Sequence, residues 1–174
     1  METTNKIVIF ILIITTVVAV MLTGLREATM STALQNEDVF NKRAILSALG
    51  ENLDKSPTEM SNDEVLGVFN NKMEQIALNM DGEVIEGLKA EEIDMAKERK
   101  KPEAERRLPL YIYNNAGEKF YIVSVRGNGL WDEIWGTIAL KDDLNTIAGA
   151  SFDHKGETPG LGAEIKDNPT FPSR

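Results

Sequence analysis

The run His154-Lys155-Gly156-Glu157-Thr158-Pro159-Gly160-Leu161-Gly162 gathers the residues of this sequence whose types and spacing could do chemistry. Gly160 and Gly162 flank Leu161 just after a Thr-Pro step. Glycine reaches positive φ cheaply and, lacking a Cβ, lets a flat ring or a phosphate lie against the main chain. Pro159 sets the entry φ and withholds one donor. Thr158 and Pro159 also fit the N-cap and first position of a helix, which would aim free N–H groups at an anion. An ordinary Gly/Pro turn between a strand and a helix fits the same residues. Glu157 is suited either to accept a hydrogen bond from a ring N–H or to cap the loop. His154 is the one histidine of the chain, so a histidine-rich metal centre is excluded. Its imidazole has two readings, a hydrogen bond near a ligand or satisfaction by backbone.

Upstream, Trp131 offers a large rigid π-face that would stack on a flat ring or fill a core. Asp132, Asp142 and Asp143 read as turn residues. No Ser/His/Asp constellation, Walker loop or dinucleotide fingerprint is present, so no catalytic residue and no metal ligand is expected. The sequence has no cysteine, which removes disulfides, thiolate metal sites and cysteine nucleophiles together. Nineteen bases against 28 acids leave a net charge of −9. Glu2 and Lys6 cancel, so the acidic excess lies beyond residue 25 and argues against nucleic-acid binding.

The elements that must position the run are legible from periodicity. Residues Ile7 to Leu25 form an uncharged stretch flanked by Lys6 and Arg26. At ~1.5 Å per residue it spans close to the ~30 Å hydrocarbon core of a bilayer. It is longer than a signal-peptide core, and no good cleavage site follows, so it is expected to be a retained anchor. The threonines in it can bond back to their own helix. Ala28 to Leu49 keeps helical character, with Val39, Ile45, Leu46 and Leu49 at helical spacing and Gly50 as a stop. Ser61 to Glu64 reads as a cap for a second helix through Val65, Val68, Phe69, Met73, Ile76 and Ala77. Asp81-Gly82 marks a turn. Residues 81–95 are acidic and 97–107 basic, a solvated surface segment or a docking strip. From Leu110 the pattern becomes β: Leu110–Tyr113, Lys119–Val125, Trp135–Leu140 and Thr146–Phe152 are predicted strands. Turns are expected at Asn114–Gly117, Arg126–Gly129 and Lys141–Asn145. The result is an α+β fold, helices followed by an antiparallel β-meander.

Gly129-Leu130-Trp131-Asp132, Gly136, Ile147-Ala148-Gly149 and the His-x-x-Glu-Thr-Pro-Gly-Leu-Gly run together resemble the flavin-binding domain of NqrC, the flavin-carrying membrane-anchored component of the sodium-translocating NADH:quinone reductase. The related RnfG component of the ferredoxin-oxidising Rnf complex shares the Glu-Thr-Pro-Gly-Leu-Gly core. It usually lacks the Gly-Leu-Trp element, so Trp131 favours the NqrC family. The resemblance implies FMN as cofactor, with Glu157, Thr158, Gly160, Leu161, Gly162 and Trp131 at its site. It divides the chain into an anchor (1–25), a helical and charged connecting region (26–107) and an FMN-binding domain (108–174). It also implies a single-pass protein of the cytoplasmic membrane, in contact with lipid and with the other membrane subunits, its domain on the outer face. The implied role is electron relay within the complex; a non-catalytic tethered assembly or ligand-binding domain is the rival.

In that family FMN is joined through its phosphate to the threonine of a Ser-Gly-Ala-Thr motif downstream of the loop. Residues 1–174 contain no such motif. Ala148-Gly149-Ala150-Ser151 looks similar but lies upstream, ends in serine and reads as strand. Thr146, Thr158 and Thr170 lack the small neighbours of the motif. The sequence is therefore expected to be a fragment or shortened product carrying no covalent flavin and inactive by itself.

Overall fold

The computed structural model describes residues 2–115, 117–168 and 171; Ala116, in the predicted Asn114–Gly117 turn, and Thr170 lie outside them. The chain separates into two compact units, Met1–Phe40 and Asn41–Arg174.

The first helix, α1, runs without interruption over Glu2–Ser47, so the predicted anchor and the helical stretch after it are one element. An 18-residue window within it reaches a mean hydropathy of 2.8 with none of its residues buried, and it is long and apolar enough to cross a membrane. Thr15 and Thr16 donate back to the carbonyls of Ile11 and Leu12 at 2.9 and 2.7 Å, which removes most of the cost of a hydroxyl in an apolar helix. Gly50, at φ +54°, stops the helical path as expected.

In the second unit, α2 (Asn62–Lys72) opens on a capping box: the Ser61 hydroxyl accepts from Glu64 N–H, and the Glu64 carboxylate accepts from Ser61 N–H. The helix stops at Lys72, and Met73–Leu78 forms strand β1, where the sequence had suggested more helix. Met73 and Ala77 suit either period, and the deciding force is a hydrogen-bonded ladder to β2 (Leu108–Asn115) running from Met73–Tyr113 to Leu78–Leu108. Strands β3 (Glu118–Asn128), β4 (Glu133–Lys141) and β5 (Ile147–His154) complete a five-stranded antiparallel sheet in sequential order.

β3 extends through the predicted Arg126–Gly129 turn. Arg126, Gly127 and Asn128 pair with Trp135, Ile134 and Glu133, and the turn itself is Gly129–Asp132. Arg126 bonds the Glu133 carboxylate at 2.6 Å and stacks 5.0 Å from the Trp135 ring, contacts that keep this glycine-containing stretch in the ladder. The Lys141–Asn145 turn forms as expected. There Asp143 accepts from Asn145 N–H, Thr146 N–H and the Thr146 hydroxyl; the Thr146 bonds, hydroxyl first, do most to pull its carboxyl down to about 2.

One face of the sheet meets the last turns of α1 and the face of α2 that carries Val65 and Phe69. Leu46, Leu49, Val65, Phe69, Tyr113 and Ile122 are fully buried there, and Phe69 meets Tyr111 edge-on at 5.8 Å. Each such side chain contributes about 1.5–3 kcal/mol by leaving water. Thr137 donates its hydroxyl to the Ala44 carbonyl. The basic segment after α3 (Met95–Glu98) surrounds one buried acid. Glu98 is held by Arg107 at 2.6 Å and Lys101 at 2.8 Å, and these bonds, Arg107 first, bring its carboxyl to about 2.

Gly149 sits where β5 passes beneath the end of α1, and a Cβ there would come 2.5 Å from the Ala48 carbonyl oxygen. Because that neighbour is backbone, Gly149→Ala is expected to cost about 1–3 kcal/mol and lower the melting temperature. Thermal denaturation of the variant beside Gly127→Ala, whose Cβ meets open space, checks this.

Candidate functional site

Two loops meet at one end of the sheet. The first, Gly129–Asp132, joins β3 to β4, and Gly129 N–H closes it on the Asp132 carbonyl at 2.7 Å. The second follows β5 and contains the Glu-Thr-Pro-Gly-Leu-Gly run. β4 and β5 pair Ile134 with His154, so the antiparallel register brings the two loops side by side.

Glu157 joins them. Its Oε1 accepts from Trp131 N–H at 3.0 Å and from Asp132 N–H at 3.1 Å, and the residue is 6% exposed. Of its two sequence readings, the structure shows the loop cap, built across two loops. These amide bonds, Trp131 first, then Asp132, hold the carboxyl below its ordinary value. The glycines make the room. A Cβ at Gly129 would overlap Glu157 Oε1, and a Cβ at Gly162 would overlap Oε2. Gly162 therefore approaches a carboxylate of its own chain, a requirement that the spacing of the motif does not reveal. Gly160 is different: its φ is +77° with open space where a Cβ would stand, so it is required by backbone conformation.

No helix begins at Pro159. Residues 159–163 form successive turns in which the Thr158 carbonyl accepts from Leu161 and Ala163 N–H, and α4 covers only Glu164–Asp167. The expected N-cap at Thr158 is thus absent, and one of the amides expected to face an anion, that of Leu161, is spent within the loop. His154 Nδ1 accepts from Glu157 N–H at 3.2 Å, the backbone satisfaction anticipated for it, while its Nε2 and Glu157 Oε2 are buried without a partner among the described residues.

Trp131 is 68% exposed and is not a core residue. With Leu130 (70%) and Leu161 (60%) it makes an apolar rim on the outside of the tied loops, where Thr158 and Gly160 are also exposed. Among the predicted site residues, Trp131, Thr158, Gly160 and Leu161 therefore share the outer surface, while Glu157 and Gly162 lie beneath it. Leu130 is the addition that the sequence did not single out; a leucine between Gly129 and Trp131 was its only signal. Asp132 accepts from Glu133 N–H and pairs with Lys155 at 3.3 Å, as a turn residue does. No group of three or more His, Asp or Glu side chains among the described residues is arranged to hold a metal ion.

The lowered Glu157 pKa has a definite sign. Its contribution is full above the unfolded value of 4.5 and is lost as pH falls through the lower folded value. The protection factors of Trp131 and Asp132 amides, taken against the intrinsic exchange rate at each pH, should therefore hold to below pH 4.5 and then fall. Glu157→Ala should accelerate both amides by about tenfold at neutral pH while the β2–β3 ladder is unchanged.

Comparison with known proteins bears on this geometry. Residues 129–173, which include both loops, match the model of the FMN-binding domain family. The Na(+)-translocating NADH-quinone reductase NqrC protein of Pseudomonas aeruginosa is 30% identical over 98% of this chain and 70% of its own length. Its counterpart in Vibrio anguillarum is 46% identical over 50 residues, 29% of this chain and 19% of that protein. The crystal structure of the corresponding protein from Parabacteroides distasonis superposes with a TM-score of 0.69 at 36% identity, covering 83% of this chain and 66% of that one. The Shewanella oneidensis NqrC structure gives a TM-score of 0.64 at 25% identity, over 80% and 67%. The chain thus spans about two thirds of the length of these solved relatives. With the match over 98% of this chain, the shared fold and the FMN-binding domain in agreement, this chain belongs to the NqrC family of the Na(+)-translocating NADH-quinone reductase.

Proposed function

We propose that this chain is a membrane-anchored, flavin-carrying electron-relay subunit of a sodium-translocating NADH:quinone reductase complex. The observation that carries the reading is the exposed rim of Leu130, Trp131 and Leu161 on two loops tied by a buried carboxylate. Apolar side chains this exposed, held on rigid backbone, suit the face and edge of an isoalloxazine ring. FMN, when bound, supplies the one- and two-electron redox chemistry.

The protein's part is binding and orientation. Trp131 offers the stacking face, and Leu130 and Leu161 exclude water beside it. Thr158 presents its hydroxyl, and the left-handed Gly160 presents main chain without a Cβ at the turn. Glu157 and Gly162 act as positioning residues, because the carboxylate sets the distance between the Trp131 loop and the Leu161 loop. The covalent attachment typical of the family has no Ser-Gly-Ala-Thr context within residues 1–174, and the site described is one wall of the flavin pocket. Sites for NADH, quinone and sodium belong to partner subunits in this reading. α1 would anchor the chain through lipid contact, with the domain on the outer face of the cytoplasmic membrane. Residues 26–107 would connect that anchor to the FMN-binding domain at 108–174.

Flavin fluorescence titration of the chain in lipid nanodiscs tests the site. Trp131→Ala is expected to weaken FMN binding about tenfold and Trp131→Phe far less. Gly160→Val should weaken it through a forbidden φ while the sheet still folds. Equal affinity in all three would favour the non-catalytic tethered domain. After co-expression with the attachment enzyme, no fluorescent band is expected on a denaturing gel; a flavin mapped to any threonine within residues 1–174 would overturn that part of the reading.

The topology has its own test. A reporter joined after Arg174 should behave as extracytoplasmic, and the mature N-terminus should lie before residue 25. A cytoplasmic reporter signal would reverse the assigned side.

A further inference from the structure

The clasp that requires a glycine at position 129 also creates a reactive pair. Asn128 stands directly before Gly129, the single Asn-Gly step of the sequence. A backbone nitrogen that follows asparagine can attack the side-chain amide carbon, and glycine hinders that attack least because it has no Cβ. Asn128 ends β3 opposite Glu133 and is exposed, so water reaches its amide.

Two sets of contacts act on this step in opposite directions. Arg99 Nη2 donates to Asn128 Oδ1 at 2.9 Å. A guanidinium there draws electron density from the amide carbon and stabilises negative charge on the oxygen as a tetrahedral intermediate forms. The attacking group is held back instead. Gly129 N–H donates to the Asp132 carbonyl at 2.7 Å, and pairing with Glu133 keeps Asn128 extended. Ring closure needs that nitrogen turned onto Cγ, which the ladder and the closed turn do not provide. The turn is braced from inside by Glu157 through the amides of Trp131 and Asp132. An activated amide is thus kept intact by loop geometry.

We propose that Asn128 is a deamidation site whose rate is set by opening of the Glu157 clasp. The Gly129 nitrogen attacks Asn128 Cγ: the N–Cγ bond forms, the Cγ–Nδ2 bond breaks, and ammonia leaves with the proton of Gly129 N–H. The cyclic imide then takes up water at either carbonyl. Opening at Cγ leaves an aspartate; opening at the main-chain carbonyl leaves an isoaspartate, whose backbone runs through the side-chain carbon. Nothing is oxidised or reduced. Either product puts a new carboxylate beside Glu133, the ladder partner of Asn128. Isoaspartate also lengthens the backbone just before Gly129. The pairing of position 128 with Glu133 and the Gly129–Asp132 closure cannot both survive that, so the reaction loosens the loop that carries Leu130 and Trp131. This chemistry is independent of what the rim binds.

Peptide mass spectrometry of the 174-residue chain, incubated in lipid nanodiscs at mildly alkaline pH, tests the site. Folded wild type is expected to convert Asn128 slowly, Glu157→Ala about tenfold faster, and the chain unfolded in denaturant faster than either. Asn128→Gln should show no conversion at this position, since the longer side chain closes its ring far less readily. Glu157→Gln keeps an acceptor oxygen but loses the charge, so its rate should fall between wild type and Glu157→Ala. It carries the comparison if the alanine variant does not fold. As isoaspartate accumulates in wild type, the Trp131 and Asp132 amides should lose hydrogen-exchange protection in proportion. Equal rates in folded wild type and the Glu157 variants overturn the proposal. Faster conversion of Asn145, exposed in a turn but followed by threonine, also overturns it. Isoaspartate formed without loss of protection overturns its effect on the loop.

Discussion

The site depends on one buried carboxylate. Glu157 is withdrawn from water, and an ionised group there is tolerable only with hydrogen bonds that replace its hydration. The amides of Trp131 and Asp132 supply them, and the Gly129–Asp132 turn holds those amides at the right place. Much else follows from that arrangement. Gly129 and Gly162 must lack a Cβ because the carboxylate occupies the space. Glu157 N–H in turn donates to His154 at the end of β5, so the clasp is tied to the sheet. The exposed side chains of Leu130, Trp131 and Leu161 are consequently presented by two loops whose backbones are held together from inside.

This gives the family motif a division of labour. Residues that stand together in a short run need not all face the same way; some build the backbone that presents the others. Thr158, Gly160 and Leu161 face outward, whereas Glu157 and Gly162 face inward, though all lie in one short run. In the proposed function, a flavin carried on such a rim would sit on rigid backbone, the protein's contribution where a cofactor performs the redox step.

The second organising constraint is the sheet, one face of which is covered by helices. The helical side is closed by the end of α1 and by α2, with polar links such as Thr137 to the Ala44 carbonyl. Glu98, held by Arg107 and Lys101, is a second buried acid, here stabilised by neighbours close in sequence within the basic segment itself. The charge segregation of residues 81–107 is in this part internal pairing as well as surface.

What the sequence determined by itself is local or periodic. The apolar helix over residues 7–25, the capping signature at Ser61 and Glu64, the presence of β-strands from Leu110 on and the Lys141–Asn145 turn each depend on a few neighbouring residues, and each element formed where it was expected. The motif was likewise legible as a place. What only the tertiary structure decided rests on partners far apart in the chain. Met73–Leu78 became a strand because β2 offers it a ladder, which a helical spacing of Met73, Ile76 and Ala77 cannot disclose. Arg126–Asn128 stayed in β3 because Glu133 and Trp135 hold it there. Trp131 was left between stacking on a ring and filling a core, and Glu157 between a ring N–H and the loop; the register of β4 on β5 brought their loops together, with Trp131 exposed and Glu157 on the loop amides. A hydrogen bond across 26 residues has no signature in either local sequence, so the contacts of Glu157, Gly129 and Gly162 were set by the fold alone.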